Sequence, residues 1–242
     1  MLADAARPRA EGSDRAERIR RMFARIAPRY DLLNSLLSLW RHAAWRRAAV
    51  REAGLRRGDS VLDCCTGTGD LARALRSVVG PSGLVVGADF CEPMLRLART
   101  KHSANLGASS LTLGDALDLP FRTAAFNAAT VAFGLRNVDD PTRAIAEMGR
   151  VVAPGGRVVI LEFGRPPGRL ARIAVETYQR CVLPAVGAVL SDRRAYSYLQ
   201  RSIREFSSPA EVLQMMGAAG ILDVRVQAMN LGSVCIYAGT RR

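Results

Sequence analysis

Apolar residues recur at three- and four-residue intervals through the N-terminal part of the chain. From residue 15 to about residue 51 this spacing predicts helices that each bury one face. The apolar positions of the first helix are Ile19, Met22, Phe23 and Ile26. Pro28 has no backbone N–H and divides the region into at least two helices. Residues 1–14, which come before it, are polar and predict a flexible lead-in.

Beyond residue 58 the pattern changes to short apolar runs that alternate with helical stretches. The runs predict strands at 60–64, 84–88, 111–113, 128–133 and 157–163, and helices at 70–79, from 92 onward and at 141–151. Several runs are apolar throughout, which is typical of parallel strands covered on both faces. A helical insertion at about 170–199, a helix at 209–219 and strands at 224–229 and 234–238 complete the pattern.

These elements predict a single Rossmann-like α/β domain with added helices. We divide it into an N-terminal helical lid (15–57), a core that binds a cofactor (58–164), a helical insertion for substrate or membrane (165–208) and a C-terminal helix with strands (209–242).

Composition adds a strong positive charge to this picture. The chain has 242 residues, and 49% of them are apolar, which is enough for a substantial core and excludes general disorder. It carries 35 Lys and Arg against 22 Asp and Glu, a formal net charge of +13, and Lys101 is the single lysine. This charge favours nucleic acid, acidic lipid headgroups or an anionic substrate, although a bias toward arginine codons explains it equally well. The five cysteines form no CxxC pair, so we expect no metal site and a reducing, cytoplasmic setting.

A glycine-rich turn follows the first predicted strand. Gly67 and Gly69 lie in the segment from Val61 to Leu71, where a bare backbone permits a tight turn and close approach of a ligand. The motif indicates a nucleotide-type ligand, and a purely structural turn is its alternative.

Three acidic residues distinguish between possible ligands. Asp63 precedes the glycines, where a negative charge suits the cationic amino group and sulfonium of S-adenosylmethionine better than a pyrophosphate. Asp89 ends the second strand, where a carboxylate can accept hydrogen bonds from ribose hydroxyls. Asp115 follows the third strand and is placed to accept from an adenine amino group. Each residue alone is also a plausible loop residue or helix cap, but together they favour S-adenosylmethionine over NAD.

Longer motifs resemble one family. The segments Phe23–Asp31, Asp115–Phe121 and Phe133–Val138 are similar to those of the ubiquinone/menaquinone biosynthesis C-methyltransferases, and the likeness extends from about residue 20 to 239. The resemblance implies a class I S-adenosylmethionine-dependent methyltransferase fold and methyl transfer to a ring carbon of a polyprenylated quinol, most often demethylmenaquinol. The cofactor contacts that it implies fall on Thr68, Asp89, Asp115 and Ala116. Among the departures from the family pattern, Trp40 stands where many members have glycine.

Arg136 and Asn137 are the first candidates for the chemistry. A quinol carbon becomes nucleophilic when a hydroxyl loses its proton, and a guanidinium on the cleft rim would stabilise the phenolate while water takes the proton. Asn137 would orient that water or the second quinol oxygen, although both residues are also plausible loop residues. Tyr30 and Asp31 are further candidates, because the N-terminal helices can fold over the site; an N-cap is an equally good interpretation of Asp31.

The predicted insertion is the candidate for contact with a lipid tail or a membrane. Its apolar face at residues 170–190 fits a substrate tunnel or a bilayer surface, where Arg165, Arg169, Arg172 and Arg180 would meet acidic headgroups. An ordinary packed helix is the alternative. We expect no nucleic-acid partner, because no aromatic stacking cluster accompanies the charge. A homodimer, an acceptor from the ubiquinone or phylloquinone pathway, and another small molecule or RNA as acceptor all stay open.

Overall fold

The computed structural model describes residues 14–102, 110–175, 177–178 and 193–242. Within these ranges the helices are α1 Asp14–Ile26, α2 Tyr30–Leu37, α3 His42–Glu52, α4 Asp70–Val79, α5 Glu92–His102, α6 Pro141–Val151, α7 Arg193–Glu205 and α8 Pro209–Ala218. The strands are β1 Ser60–Cys64, β2 Leu84–Asp89, β3 Ser110–Leu113, β4 Phe126–Ala132, β5 Val152–Phe163, β6 Ile221–Met229 and β7 Val234–Arg241. Residues 169–175 are also helical.

The strands form one sheet in the order β3-β2-β1-β4-β5-β7-β6. The first five strands run parallel, whereas β7 lies antiparallel to both β5 and β6. The carboxyl ends of β1 to β4 therefore lie at the same edge of the sheet. From β1 the chain first adds β2 and β3 on one side and then β4 and β5 on the other. Open parallel sheets bind their ligands at this kind of edge. The predicted fold class is confirmed.

Two hydrophobic cores cover the two faces of the sheet. Val61 packs in one core and its neighbour Leu62 in the other, and Val85 and Val86 divide in the same way. Successive strand residues point to opposite faces, so a run that is buried on both sides must be apolar throughout. This is why the runs of β1, β2, β4 and the later part of β5 are recognisable in the sequence, whereas β3 at the edge of the sheet has no buried residue.

Helix bounds follow the local start signals. In α6, Asp140 is the N-cap, its side chain accepts from Arg143 N, and Pro141 occupies the first turn. Ser208 and Glu211 form a capping box at the start of α8. Helices α4 and α6 have the predicted bounds.

The structure differs from the sequence prediction around β5. The strand begins at Val152 instead of residue 157, and Pro154-Gly155-Gly156, a sequence typical of a turn, lies inside the strand. Its pairing with β4 changes register between Phe126 and Ala128, so the extra residues form an irregularity in the strand. A Cβ on Gly156 would come 2.5 Å from the carbonyl oxygen of Asn127, so this close approach requires glycine.

The N-terminal region contains α1, α2 and α3, with a 3₁₀ turn at Ala27–Arg29 where Pro28 was predicted to break the helix. The lead-in up to residue 13 and the part of the predicted insertion at 179–192 lie outside the described residues. Among the helices described, none has the length and apolar character that a membrane span needs.

Candidate active site

A cavity of about 1120 Å³ opens at the carboxyl ends of β1 to β4. Ligand pockets for small molecules occupy roughly 300–1,000 Å³, so this volume is sufficient for a nucleoside and part of a second molecule. Helix α1 covers one side of it through Ala16, Glu17, Arg20 and Phe23. Part of the N-terminal region that the sequence predicts to be a lid therefore borders this cavity.

Asp89 joins the glycine turn to the end of β2. Its Oδ2 accepts from Gly67 N and its Oδ1 from Cys91 N, each at 2.8 Å. The side chain is 6% exposed and lines the cavity. Burial raises the pKa of Asp89 to about 6, and the backbone N–H groups of Cys91 and Gly67 partly oppose this rise. Since each carboxylate oxygen can accept more than one hydrogen bond, Asp89 retains capacity for a ligand hydroxyl.

Asp115 and Ala116 form the wall of the cavity after β3. Asp115 Oδ1 accepts from Leu117 N at 2.9 Å, which fixes the turn and leaves the carboxylate exposed toward the cavity. Gly67, Asp89, Asp115 and Ala116 therefore line one space, although they come from three different strand ends.

Asp63 lies beneath the glycine turn rather than among the described residues that line the cavity. It is 1% exposed and accepts from Thr66 Oγ1 at 2.6 Å and from Thr130 Oγ1 at 3.1 Å. Burial raises the pKa of Asp63 to about 7, and the two hydroxyl groups oppose the rise. In this position the carboxyl group holds the turn in shape.

Tyr30 stands over the glycine turn. A Cβ on Gly67 would lie 3.9 Å from Tyr30 Cε1, and the Tyr30 ring packs edge-on against Phe23 at 6.0 Å between centroids. The side chain lines the cavity, and burial raises the pKa of its phenol. Tyr30 is therefore placed to contact ligands as a protonated hydroxyl group and an aromatic edge.

Asp31 fastens α2 to the glycine turn. Its Oδ1 accepts from Thr68 Oγ1 at 2.6 Å and its Oδ2 from Lys101 Nζ at 2.6 Å. Lys101 also donates to Asp70 at the start of α4. Thr68 is 3% exposed, and Gly69 is the left-handed N-cap of α4 at φ 82°. Asp31, Thr68, Asp70 and Lys101 form a polar junction next to the glycine turn, which we name the lid junction. The predicted site residues Asp31 and Thr68 belong to it, and Gly69 lies between Thr68 and Asp70.

In the turn after β4, Asn137 faces the cavity, whereas Arg136 faces the buried Glu162 behind the turn. Arg136 Nη1 lies 2.8 Å from Glu162 Oε1, its side chain is 7% exposed, and its guanidinium stacks 5.0 Å from the Phe163 ring centre. Asn137 lines the cavity, with its Nδ2 donating to the carbonyl oxygen of Phe133 at 3.2 Å. Arg136 is not among the described residues of the cavity wall, whereas Asn137 is.

Comparisons with known proteins agree with this arrangement. The model of the ubiE/COQ5 methyltransferase family matches residues 12–241. The chain belongs to this family. Its relatives include a demethylmenaquinone methyltransferase of Deinococcus radiodurans, 43% identical over the whole length of both chains. A ubiquinone/menaquinone biosynthesis C-methyltransferase of Geobacter sp. (strain M21) is 42% identical over 95% of this chain and 98% of its own.

Solved structures share the fold of this UbiE/COQ5 family member. A possible histamine N-methyltransferase from Thermotoga maritima has a TM-score of 0.64 and 18% identity, covering 93% of this chain and 100% of its own. A phosphoethanolamine N-methyltransferase from Haemonchus contortus, solved with S-adenosyl-L-methionine, has a TM-score of 0.62 and 15% identity over 84% of this chain and 52% of its own. At these identities the likeness establishes the methyltransferase fold alone.

Sequence reasoning missed several residues of the methyltransferase site. Glu162, the partner of Arg136, is buried at the end of β5, and an acidic residue at the end of an apolar run was the available signal. Tyr198 on α7 donates to Asn137 Oδ1 at 3.0 Å, a contact across 61 positions that no local pattern indicates. Cys65 is half-buried, lines the cavity and adopts φ 51°.

Proposed function

We propose that this methyltransferase transfers the methyl group of S-adenosylmethionine to a ring carbon of a polyprenylated quinol, with demethylmenaquinol as the first candidate. One observation carries the proposal: a single cavity combines the acidic and glycine positions suited to the methyl donor with the turn at Phe133–Val138 that resembles the quinone-pathway enzymes. The full-length similarity to a demethylmenaquinone methyltransferase supports the choice of acceptor.

The residues of the cavity fit the methyl donor. Asp89 would accept from ribose hydroxyls, since it is buried, lines the cavity and bonds to the backbone N–H groups of Gly67 and Cys91 with acceptor capacity left on both oxygens. Asp115 would accept from the adenine amino group, and the backbone at Ala116 would border the ring. Gly67 admits the ligand close to the main chain. When bound, S-adenosylmethionine supplies a methyl carbon that its positive sulfonium has already activated.

Asp63, Thr68 and Gly69 serve the methyl donor through the shape of the turn. Asp63 accepts a hydrogen bond from Thr66, and Thr68 donates one to Asp31. The side chains of Asp63 and Thr68 thereby stabilise the backbone conformation of the turn at Gly67. We therefore assign them to positioning of the glycine turn.

The acceptor needs help to lose a proton and a group that stabilises the resulting oxygen anion. Asn137 supplies that group, because it lines the cavity and its amide nitrogen faces the Phe133 carbonyl with one N–H to spare. Arg136 contributes its positive charge from behind the turn, where Glu162 neutralises much of it. Bulk water or a bound water takes the proton, since arginine is too basic to accept it.

Asp31 is a poor candidate for the base in this arrangement. Both of its carboxylate oxygens are engaged, one by Thr68 and one by Lys101, outside the described cavity wall. Tyr30 instead lines the cavity, and in our proposal its hydroxyl donates to a substrate oxygen.

A lipid-tailed acceptor also requires access to a bilayer, and we propose peripheral contact with an acidic membrane surface. The turn between α2 and α3 exposes Leu39 (57%) and Trp40 (63%), and the helical residues 169–175 expose Leu170 (83%). Tyr178 OH, in the described residues 177–178, donates to the Leu37 carbonyl at the end of α2 at 3.2 Å. Exposed arginines accompany them at Arg41, Arg169 and Arg172. Apolar tips with basic neighbours suit anionic lipid headgroups.

The test is incubation of the purified protein with labelled S-adenosylmethionine and a panel of acceptors: demethylmenaquinol, a benzoquinol of the ubiquinone type, and bulk RNA. The benzoquinol is included because the Geobacter relative's name covers both quinones. We expect label in demethylmenaquinol, with one added methyl group by mass, and loss of incorporation in Asp89→Ala. Label in RNA and not in any quinol would overturn the proposal.

A further inference from the structure

Tyr198 connects helix α7 to the turn at Leu135–Asn137, which we call the reaction turn. Its phenol donates to Asn137 Oδ1 at 3.0 Å, and α7 packs against the turn at Leu135–Asn137. The ring is half-buried, with Arg201 placed 5.9 Å from its centre. The contact comes from a part of the chain that contributes nothing else to the described cavity wall.

The two hydrogen bonds of Asn137 fix the orientation of its amide. The carbonyl oxygen of Phe133 can only accept, so the group facing it at 3.2 Å is Nδ2. The group facing Tyr198 is then Oδ1, and it receives the phenol proton. Without Tyr198 the oxygen would have no partner among the described residues, and the 3.2 Å bond from Nδ2 to Phe133 would alone restrain rotation of the amide about its last bond.

The same geometry leaves one amide hydrogen unused. An amide nitrogen has two N–H groups, and within the described part of the chain one of them is directed to Phe133. Because Asn137 lines the cavity, the second N–H is available to a ligand there. A donor held in place before the reaction stabilises a developing oxygen anion better than one that must first reorient.

We propose that Tyr198 is a positioning residue for methyl transfer: it holds the Asn137 amide so that the second N–H meets the substrate oxygen that loses its proton. The inference rests on the proposed function, since it assigns that oxygen to a quinol.

An alternative role for Tyr198 as the general base does not fit its surroundings. Burial raises the pKa of the Tyr198 phenol, and the nearby Arg15, Arg136 and Arg201 only partly oppose this rise, while Asp139 adds to it. The phenol stays protonated at neutral pH and acts as a donor.

A double-mutant cycle on Tyr198→Phe and Asn137→Ala tests the proposal. We expect Tyr198→Phe to lower kcat about tenfold, with KM for a short-tailed quinol and Kd for S-adenosylhomocysteine changed less than threefold, because the lost interaction matters in the transition state. Asn137→Ala should lower kcat at least as much, and the double variant should match Asn137→Ala alone. Full kcat in Tyr198→Phe, or additive losses in the double variant, would overturn the inference.

Ser202→Ala is the control on the same helix, since it removes a hydroxyl that donates to the Leu199 carbonyl within α7 at 3.0 Å. It should leave kcat unchanged. Wild-type protein that methylates no quinol refutes the proposed function and not this contact. In that event thermal unfolding of wild type, the two single variants and the double variant tests the contact. Tyr198→Phe should cost no further stability in the Asn137→Ala background, and additive losses would refute the contact.

Discussion

Arg136 and Glu162 form a buried ion pair behind the reaction turn, with Nη1 and Oε1 2.8 Å apart and side chains 7% and 0% exposed. The same carboxylate accepts from Arg136 N at 3.2 Å and from Phe163 N at 2.8 Å. Arg136 also donates to the carbonyl oxygen of Phe133, and the backbone of Phe133 has φ 56°. One acid at the end of β5 therefore organises the turn that presents Asn137 at the end of β4.

Glu162→Gln is expected to lower both stability and turnover. Removing one partner of a buried pair leaves the other charge uncompensated, which costs roughly 3–5 kcal/mol of unfolding free energy. Where the variant folds, kcat should fall while Kd for S-adenosylhomocysteine changes little, because Glu162 lies away from the described cavity wall. Chemical denaturation, calorimetric binding and turnover measure the three quantities.

The control is Glu92→Gln, which removes the acid of an exposed pair with Arg96. We expect no measurable change in unfolding or turnover there. Equal melting temperatures for Glu162→Gln and wild type would contradict the structural role of the pair.

The sequence predicts the parts of this enzyme that depend on local pattern. Helix α6 has the predicted bounds because Asp140 and Pro141 mark its start, and β1 is recognisable because both of its faces are buried. The interrupted start of β5 was missed, because Pro154-Gly155-Gly156 reads locally as a turn and only its pairing with β4 makes it strand.

The site was predictable as a set of positions and not as a set of roles. Asp89 and Asp115 line the cavity where strand ends meet, as their spacing indicates. Asp31, 70 positions from Lys101 in the chain, pairs with it only in the folded protein, and Arg136 meets Glu162 across 26 positions. Such tertiary partners decide which oxygen or guanidinium stays available to a ligand.

The affinity for S-adenosylhomocysteine should depend on pH through Asp89. Burial raises the pKa of this carboxyl group to about 6 in the free protein, while ribose hydroxyls donate to the ionised form and so bind it preferentially. Affinity should be constant above about pH 7 and fall toward tenfold per pH unit below 6, because the unligated protein takes up a proton that the complex releases. Isothermal titration calorimetry from pH 5 to 8 measures the Kd for S-adenosylhomocysteine.

Asp89→Asn separates this effect from the other raised acid, Asp63, whose pKa burial raises to about 7. The variant should bind weakly at every pH, without the slope below 6. A slope that persists in Asp89→Asn would assign the titration to a different group.

Lys101→Met should loosen the lid junction. Lys101 Nζ lies 2.6 Å from Asp31 Oδ2 and 2.5 Å from Asp70 Oδ1, so the substitution leaves two carboxylates without their shared cation. The side chains are partly exposed, and each such contact is worth about 0.2–1 kcal/mol. We expect S-adenosylhomocysteine to bind about three- to tenfold more weakly, because Asp31 also holds Thr68 on the glycine turn. The measurement is a titration at low and high salt.

Arg96→Met is the control on the same helix, since Arg96 pairs only with the exposed Glu92 among the described residues. It should leave the affinity unchanged. An unaltered Kd in Lys101→Met, or a loss that does not shrink in high salt, would show that the junction does not support the cofactor site.

Trp40→Gly tests the membrane contact without disturbing the fold. Trp40 is 63% exposed and is held at φ 60°, a conformation that costs a non-glycine residue roughly 1–2 kcal/mol. Glycine adopts it freely, so stability should stay constant or rise by about 1 kcal/mol. Binding to vesicles of phosphatidylglycerol and phosphatidylcholine should fall about fivefold, since the indole is lost from the interface.

Leu231→Gly supplies the matched control, because Leu231 is 66% exposed and has φ 56° in the turn between β6 and β7. It relieves the same kind of strain and removes a similarly exposed apolar side chain elsewhere on the protein. Vesicle flotation should therefore separate the two variants: Leu231→Gly should float with the vesicles to the same extent as wild type, and Trp40→Gly to a clearly smaller extent. Equal flotation of all three proteins would place the membrane contact away from the α2–α3 turn, and no flotation of the wild type would remove it altogether.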